Sequence, residues 1–393
     1  MRCAMVTGDF YPDSTGGVQR VVYHLARGLV EIGHHVTVIT RQLSGDMPCC
    51  EEVEGIHVIR FASKTDNMAK FHVSEFLSSR RAFKRVLNQK RPDIVHIHEP
   101  LPGLGAASAL TGTDIPTIYT FHGQWSVQWL DARLHGSRSG GLAARWFARY
   151  LRGIERLAMR RSVRLVALSR FMARTAVDLY SIAPQRITTI PNGVDLGRFR
   201  PVAQLEARRN VGLPEGKPVL GFAGRLSGEK GVSMLLQAVA LLRREMPEAI
   251  LLVAGEGPER AALEEQARSL GVDDLVRFMG HVDDMASFYN ALDLLIVPSV
   301  REPFGLVTLE ALACGTPVIG GPVGGTAEIL RRFDERLVFA DMTPRAIADK
   351  VCEVASTLSP RLRVACRAFV EATFSWDRMV DAYEAVYMEC VGT

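Results

Sequence analysis

The sequence predicts an α/β protein made of two successive doubly wound domains facing a cleft, each with a mostly parallel sheet. Three observations predict it. At 393 residues the chain is too long for one ordinary hydrophobic core and long enough for two. Short runs rich in Val and Ile alternate with longer segments of helical period, the pattern of βαβ units. Most of these runs are continuously apolar rather than alternating, as in sheets covered by helices on both faces.

Taken in order, strands are expected at Arg2 to Thr7, His35 to Thr40, His57 to Arg60, Ile94 to His98, Thr117 to Phe121, Leu165 to Leu168 and Ile187 to Ile190. A helix opening near Gly17 places Val18, Val21, Leu25 and Leu29 on one face. After Pro191-Asn192-Gly193-Val194-Asp195 the apolar pattern lapses, and the polar stretch from Arg200-Pro201 to Lys217 reads as an interdomain linker. A second series follows at Val219 to Ala223, Ala249 to Ala254, Leu275 to Met279, Leu294 to Val297, Pro317 to Ile319 and Leu337 to Phe339. The expected domains are 1–195 and 196–374. The segment from Phe374 to Cys390 reads as an amphipathic helix with Met379, Tyr383, Val386 and Tyr387 on one side.

The 47 basic and 43 acidic side chains, net charge +4, are spread along the chain. That argues for an anionic ligand or surface and against a dedicated nucleic-acid binder. Seven cysteines at 3, 49, 50, 314, 352, 366 and 390 form no CxxC pair and no zinc spacing. They read as reduced thiols of a cytoplasmic protein. Met1 leads directly into Cys3-Ala4-Met5-Val6, a run too short for a signal peptide. No apolar run approaches the roughly 18 to 20 residues that cross a bilayer, so a membrane, if met at all, is met at its surface.

Three strand ends could carry chemistry. The segment Gly8 to Gly17 leaves the first strand with Pro12, Asp13, Ser14 and the pair Gly16-Gly17. Ligands bind at such strand ends, and paired glycines let backbone approach them; a tight strand-to-helix turn is the alternative. In the second series, Gly221-Phe222-Ala223-Gly224-Arg225 is followed by Glu229-Lys230-Gly231. Arg225 and Lys230 bring two cations to one strand end near a helix entrance, which suits a diphosphate. In Glu302-Pro303-Phe304-Gly305-Leu306-Val307-Thr308-Leu309-Glu310 a turn passes into helical spacing. Free amides near Gly305 to Val307 could face a phosphate, and Glu302 and Glu310 could accept from vicinal hydroxyls of a sugar and a ribose. Two surface acids at a helix start are the alternative.

This Glu-x7-Glu segment, together with Arg225, Lys230 and the Gly16-Gly17 loop, resembles the retaining glycosyltransferases of family 4, which have the GT-B fold of two Rossmann-like domains. The match in order and spacing runs from the first strand to Trp376. The resemblance implies that Arg225 and Lys230 neutralise the diphosphate of a nucleotide-sugar donor without a required metal, so no cofactor is expected. Glu310 would hold the ribose, and Glu302 with the Phe304 and Gly305 amides would contact the transferred sugar. Leu306 and Val307 amides would reach phosphate, and His281-Val282 would lie against the base. His122, ending the strand Thr117 to Phe121, matches a histidine facing sugar and acceptor. Ser169 and Asn192 match family segments and read first as structural. The terminal helix, 375–393, would return to the first domain. The family's reaction is discussed as a front-face retaining transfer in which the leaving diphosphate helps deprotonate the acceptor.

The acceptor is less defined. Between Arg133 and Arg164 lie nine arginines and one acid, Glu155, interleaved with Trp146, Phe147, Tyr150 and Leu151. Ser79-Arg80-Arg81-Ala82-Phe83-Lys84-Arg85 adds a second basic patch. Either an anionic lipid surface or plain solvent is met by such a face. Val95-His96-Ile97-His98-Glu99-Pro100 and the Gly16-Gly17-Val18-Gln19 loop are similar to phosphatidylinositol mannosyltransferases, while Gly123-Gln124-Trp125 departs from them. The expected reaction is hexose transfer from a GDP- or UDP-sugar to a lipid-linked or polyol-type acceptor for cell-envelope glycans. Transfer to a soluble metabolite, as in antibiotic or thiol synthesis, is the runner-up. A nucleotide-sugar epimerase, a phosphorylase and a non-catalytic binding pair are the readings from other classes.

Overall fold

The structure is a computed structural model describing residues 1–14, 16–64, 67–127, 129, 141–213 and 216–392. The chain forms two compact units. The first holds Met1–Val127, Arg145–Gly193 and Trp376–Thr393; the second is built on Val194–Ser375.

The first unit carries an eight-stranded sheet. Its strands are β1 (Arg2–Val6), β2 (His35–Arg41), β3 (Cys50–Val53), β4 (Ile56–Phe61), β5 (Ile94–Ile97), β6 (Thr117–Phe121), β7 (Arg164–Ala167) and β8 (Ile187–Thr189). The order is β3-β4-β2-β1-β5-β6-β7-β8, and every pairing is parallel except β3 with β4. The alternation of side chains along a strand divides the centre of this sheet by chemistry. Val95, Ile97, Tyr119 and Phe121 join one apolar core, while the intervening His96, His98 and Thr120 face the other way and are also buried. The terminal helix Trp376–Val391 buries Met379, Val380, Tyr383, Val386 and Tyr387 against the helix Gly17–Glu31 and β5.

The second unit carries a parallel sheet of β9 (Val219–Ala223), β10 (Ile250–Ala254), β11 (Val276–Gly280), β12 (Leu294–Val297) and β13 (Val318–Gly320), in the order β11-β10-β9-β12-β13. The strands β9, β10 and β12 are buried throughout.

Two expectations need correction, and one strand was not foreseen. In its described residues the stretch 200–217 is not an open linker. Gln204–Asn210 is a helix whose Arg208 is buried and reaches Asp293 at 2.7 Å, so its polarity is spent on internal pairing. Leu337 to Phe339 is not a strand: a 3₁₀ turn at Glu335–Leu337 precedes a single bridge from Val338 to Gly320. Conversely, β3 escaped the sequence reading because Glu51 and Glu52 break its apolar pattern; an edge strand tolerates such charge. Among the described residues no helix is long and apolar enough to cross a membrane.

Candidate functional site

In an open doubly wound sheet the loops diverge where the strand order reverses, leaving a crevice at the carboxyl ends of the two strands there. In the second unit that switch point lies between β9 and β12. The loops leaving both strands are held together by backbone. A Cβ at Gly231 would stand 2.1 Å from the carbonyl oxygen of Pro298, so only glycine, here with φ of 71°, permits the approach. Val300 N donates to Glu229 O at 2.9 Å.

This clamp sets Lys230 Nζ 2.8 Å from Glu302 Oε2, with Glu302 only 9 % exposed. Burial opposes the Lys230 charge, but the adjacent Glu302 carboxylate outweighs it and holds the ammonium above its usual range. Arg225, four residues beyond Gly221 on the same strand end, is exposed. The helix Leu306–Ala313 starts from Gly305 without a side-chain cap, so its first amides are available to an anion. Phe304 is buried against Phe374 and anchors the preceding turn beside Pro303. Further along this helix Glu310 accepts from Tyr289 Oη at 2.7 Å.

The structure thus gathers Arg225, Lys230, Glu302, Pro303, Phe304, Gly305, Leu306, Val307 and Glu310 at the ends of two neighbouring strands. His281 and Val282 follow β11, two strands from β9. His281 is 74 % exposed and lies 3.2 Å from Asp283. Gly16, Gly17 and His122 belong to the other unit.

Sequence reasoning missed Gly324-Gly325, which follows β13. Gly325 N donates to Glu302 O at 2.8 Å, and a Cβ on Gly325 would lie 2.2 Å from Phe304 O. This backbone seat fixes the segment carrying Glu302. The signal was available, because the pair repeats the strand–GlyGly–helix pattern of Gly16-Gly17.

In the first unit the switch point lies between β1 and β5. Gly16 precedes the helix Gly17–Glu31, with φ −72° and ψ 168°. The loop before it is pinned by Asp13, whose two oxygens take a fork from buried Arg60 at 2.7 and 3.0 Å. Asp9 pairs with Arg41, and Glu75 lies 3.6 Å from the same guanidinium. Glu99, against Gly8, is driven up to about 7 by burial and then by the charge of Asp9. Asp9, Glu75 and Glu99 crowd one arginine, an environment that suits the hydroxyl groups of a ligand.

One strand over, His122 is half-buried and its neutral form is favoured, with burial lowering the ring to about 3. Ser169 caps the helix Arg170–Tyr180, and Asn192 is buried.

Of the basic surface, Arg133 and Arg138 lie outside the described residues. The helix Gly141–Arg161 exposes Arg145, Arg149, Arg160 and Arg161 with Trp146, Tyr150 and Leu157. Its one acid, Glu155, points inward, accepting from Trp125 N at 2.7 Å and Tyr180 Oη at 2.8 Å. The outward face is therefore purely cationic and apolar. Arg81, Lys84 and Arg85 are exposed on the helix Met68–Gln89.

Comparison with known proteins agrees with this organisation. A family model described as Glycosyltransferase Family 4 matches residues 15–198, and one described as Glycosyl transferases group 1 matches residues 203–367. The chain is 30 % identical to a glycogen synthase of Mycobacterium tuberculosis, over 99 % of this chain and 94 % of that protein. It is 32 % identical to a D-inositol 3-phosphate glycosyltransferase of Salinispora arenicola, over 98 % and 88 %. The solved sucrose-phosphate synthase of Thermosynechococcus elongatus superposes with a TM-score of 0.84 at 23 % identity, covering 100 % of this chain and 99 % of that one. On these matches the chain belongs to the GT-B glycosyltransferases, with the domains of family 4, and is a glycosyl-transferring enzyme.

Proposed function

We propose that the protein moves a hexose from a GDP- or UDP-sugar, with retention of configuration, to a lipid-linked or polyol-type acceptor in cell-envelope glycan synthesis. The observation that supports the donor half is the Lys230–Glu302 pair beside the uncapped helix at the second sheet's switch point. A diphosphate arriving there replaces Glu302 as the partner of Lys230, with Arg225 as second cation and the Leu306 and Val307 amides as donors. Glu302, released, accepts from sugar hydroxyls together with the Phe304 and Gly305 amides as donors. Glu310 accepts from the ribose in the orientation Tyr289 imposes, and His281-Val282 take the base. Charge neutralisation by these side chains serves in place of a metal. The leaving diphosphate takes the acceptor proton, so the protein supplies positioning and electrostatics.

On the acceptor side, the carboxylates crowded around Arg41 suit a hydroxyl-rich group; Gly16-Gly17 follow Asp9 in sequence, and His122 ends β6, the strand beside β5. The cationic and aromatic face of Gly141–Arg161 suits an anionic bilayer surface. Transfer to a soluble metabolite is the second reading, favoured by relatives named for D-inositol 3-phosphate.

Lys230→Ala is the decisive variant: kcat falls about 10²- to 10³-fold in a protein that remains folded, and wild-type turnover sinks the donor assignment. For the membrane, the protein co-sediments with anionic vesicles at low salt and is released as salt rises. Absence of binding to such vesicles leaves the soluble acceptor.

A further inference from the structure

We propose that His98 is a positioning residue that locks His122 in the tautomer with its proton on Nδ1, so that His122 meets a ligand oxygen as a hydrogen-bond donor and not as a base. The proposal rests on the reading of His122 as a group that faces sugar and acceptor.

The two rings meet edge to edge with their planes 29° apart and centroids 5.2 Å apart, and His98 Nδ1 lies 2.9 Å from His122 Nε2. One proton occupies that contact, and its owner determines what His122 shows to its open side. His98 is 2 % exposed and its Nε2 is buried with no hydrogen-bond partner. Were the His98 proton on Nε2, it would be an orphaned buried N–H, a costlier defect than an unused lone pair. Placing it on Nδ1 makes His98 the donor and His122 Nε2 the acceptor. A neutral His122 then carries its own proton on Nδ1. Both rings stay neutral, because burial lowers them.

His98 cannot rotate away from this contact, because the next histidine along β5 backs it. His96 and His98 have centroids 3.8 Å apart. His96 is fixed at both nitrogens, by Tyr387 Oη at 2.6 Å and Thr120 Oγ1 at 2.7 Å, and Thr120 is held in turn by Tyr383 Oη at 3.0 Å. The tyrosines come from the terminal helix Trp376–Val391. That helix thus acts on His122 through a buried polar ladder.

Ring-nitrogen NMR of the whole ¹⁵N-histidine-labelled protein at neutral pH reads the tautomer with no ligand and no variant. The expected result is one His122 signal set, with Nδ1 protonated and Nε2 bare; a His122 protonated on Nε2 overturns the proposal. In His98→Leu the single tautomer is lost and kcat for release of UDP from UDP-glucose or GDP from GDP-mannose drops about ten- to a hundredfold with KM little changed. His98→Asn, whose amide can donate to Nε2, restores most of both. Retention of tautomer and turnover in a folded His98→Leu protein also overturns it. If His122→Ala turns over normally while wild type shows the expected tautomer, the reading of His122 as a site residue has failed and the His98 contact has not.

Discussion

Both sheets reverse their winding between two strands, β1 and β5 in the first unit and β9 and β12 in the second, but they furnish that point differently. The second unit presents a half-buried ion pair, Lys230 with Glu302, and an uncapped helix start. The first presents buried histidines held neutral and carboxylates sharing one guanidinium. Their glycine pairs differ too. Gly325 is required by packing, since its Cβ would strike Phe304 backbone. Gly16 sits in an extended conformation open to any residue, and its Cβ would meet only the flexible end of Gln19. One loop is glycine for the fold; the other has no such structural reason.

The largest effect that separates the units is their response to acid. His96, His98 and His122 are lowered from 6.5 by burial, so below pH 6.5 the unfolded chain takes up protons that the native chain refuses, and stability falls as pH falls. Each refused proton costs up to about 1.4 kcal/mol per pH unit well below 6.5. Glu99 acts oppositely. Its folded value near 7 stands above 4.5, so its contribution is complete below 4.5 and lost as pH rises through 7, returning about 1.4 kcal/mol per unit between those limits. Hydrogen exchange at pH 7 and pH 5, corrected for intrinsic rates, is expected to show β5 and β6 losing protection well before β9 and β12. Equal losses in both units break the contrast.

The strands were legible because they are continuously apolar and flanked by helical period; the one hidden strand, β3, is masked by two glutamates that an edge tolerates. The stretch 200–217 misled because a pattern records polarity but not whether Arg208 finds Asp293. The cluster in each unit follows from local signals only as far as a strand end. That Lys230 and Glu302, 72 residues apart, belong to one site followed from a family resemblance and not from spacing, and their direct contact was not foreseen. Tyr289 was invisible as a site residue, and His98 was marked only as part of the segment Val95 to Pro100, because their roles arise from helix packing and sheet register. Gly324-Gly325 was readable, as a repeat of the first pair.

Next in size is Gly325→Ala. The added carbon faces Phe304 O, Cα and C at 2.2 to 2.6 Å, all backbone, so the seat under Glu302 must shift. A loss of about 3 kcal/mol in denaturant unfolding of the second unit is expected, at the upper end for overpacking. An unchanged midpoint means the two loops are less tightly joined than their backbone contact indicates, and the asymmetry between the glycine pairs shrinks.

The smallest stability effect belongs to Gly16→Ala, and it is the sharpest test of the contrast. With φ of −72° alanine needs no strain, and Gln19 Oε1 can rotate away. Removing glycine's freedom from the unfolded chain and losing a tolerable helix cap work in opposite directions, so the unfolding free energy stays within about 0.5 kcal/mol of wild type. If the glycine exists to let backbone approach a ligand, glycosyl transfer falls at least about tenfold while the thermal midpoint stays put. A loss of stability with activity per folded molecule intact assigns Gly16 to the turn alone, and the first unit's glycine pair then serves packing as the second's does.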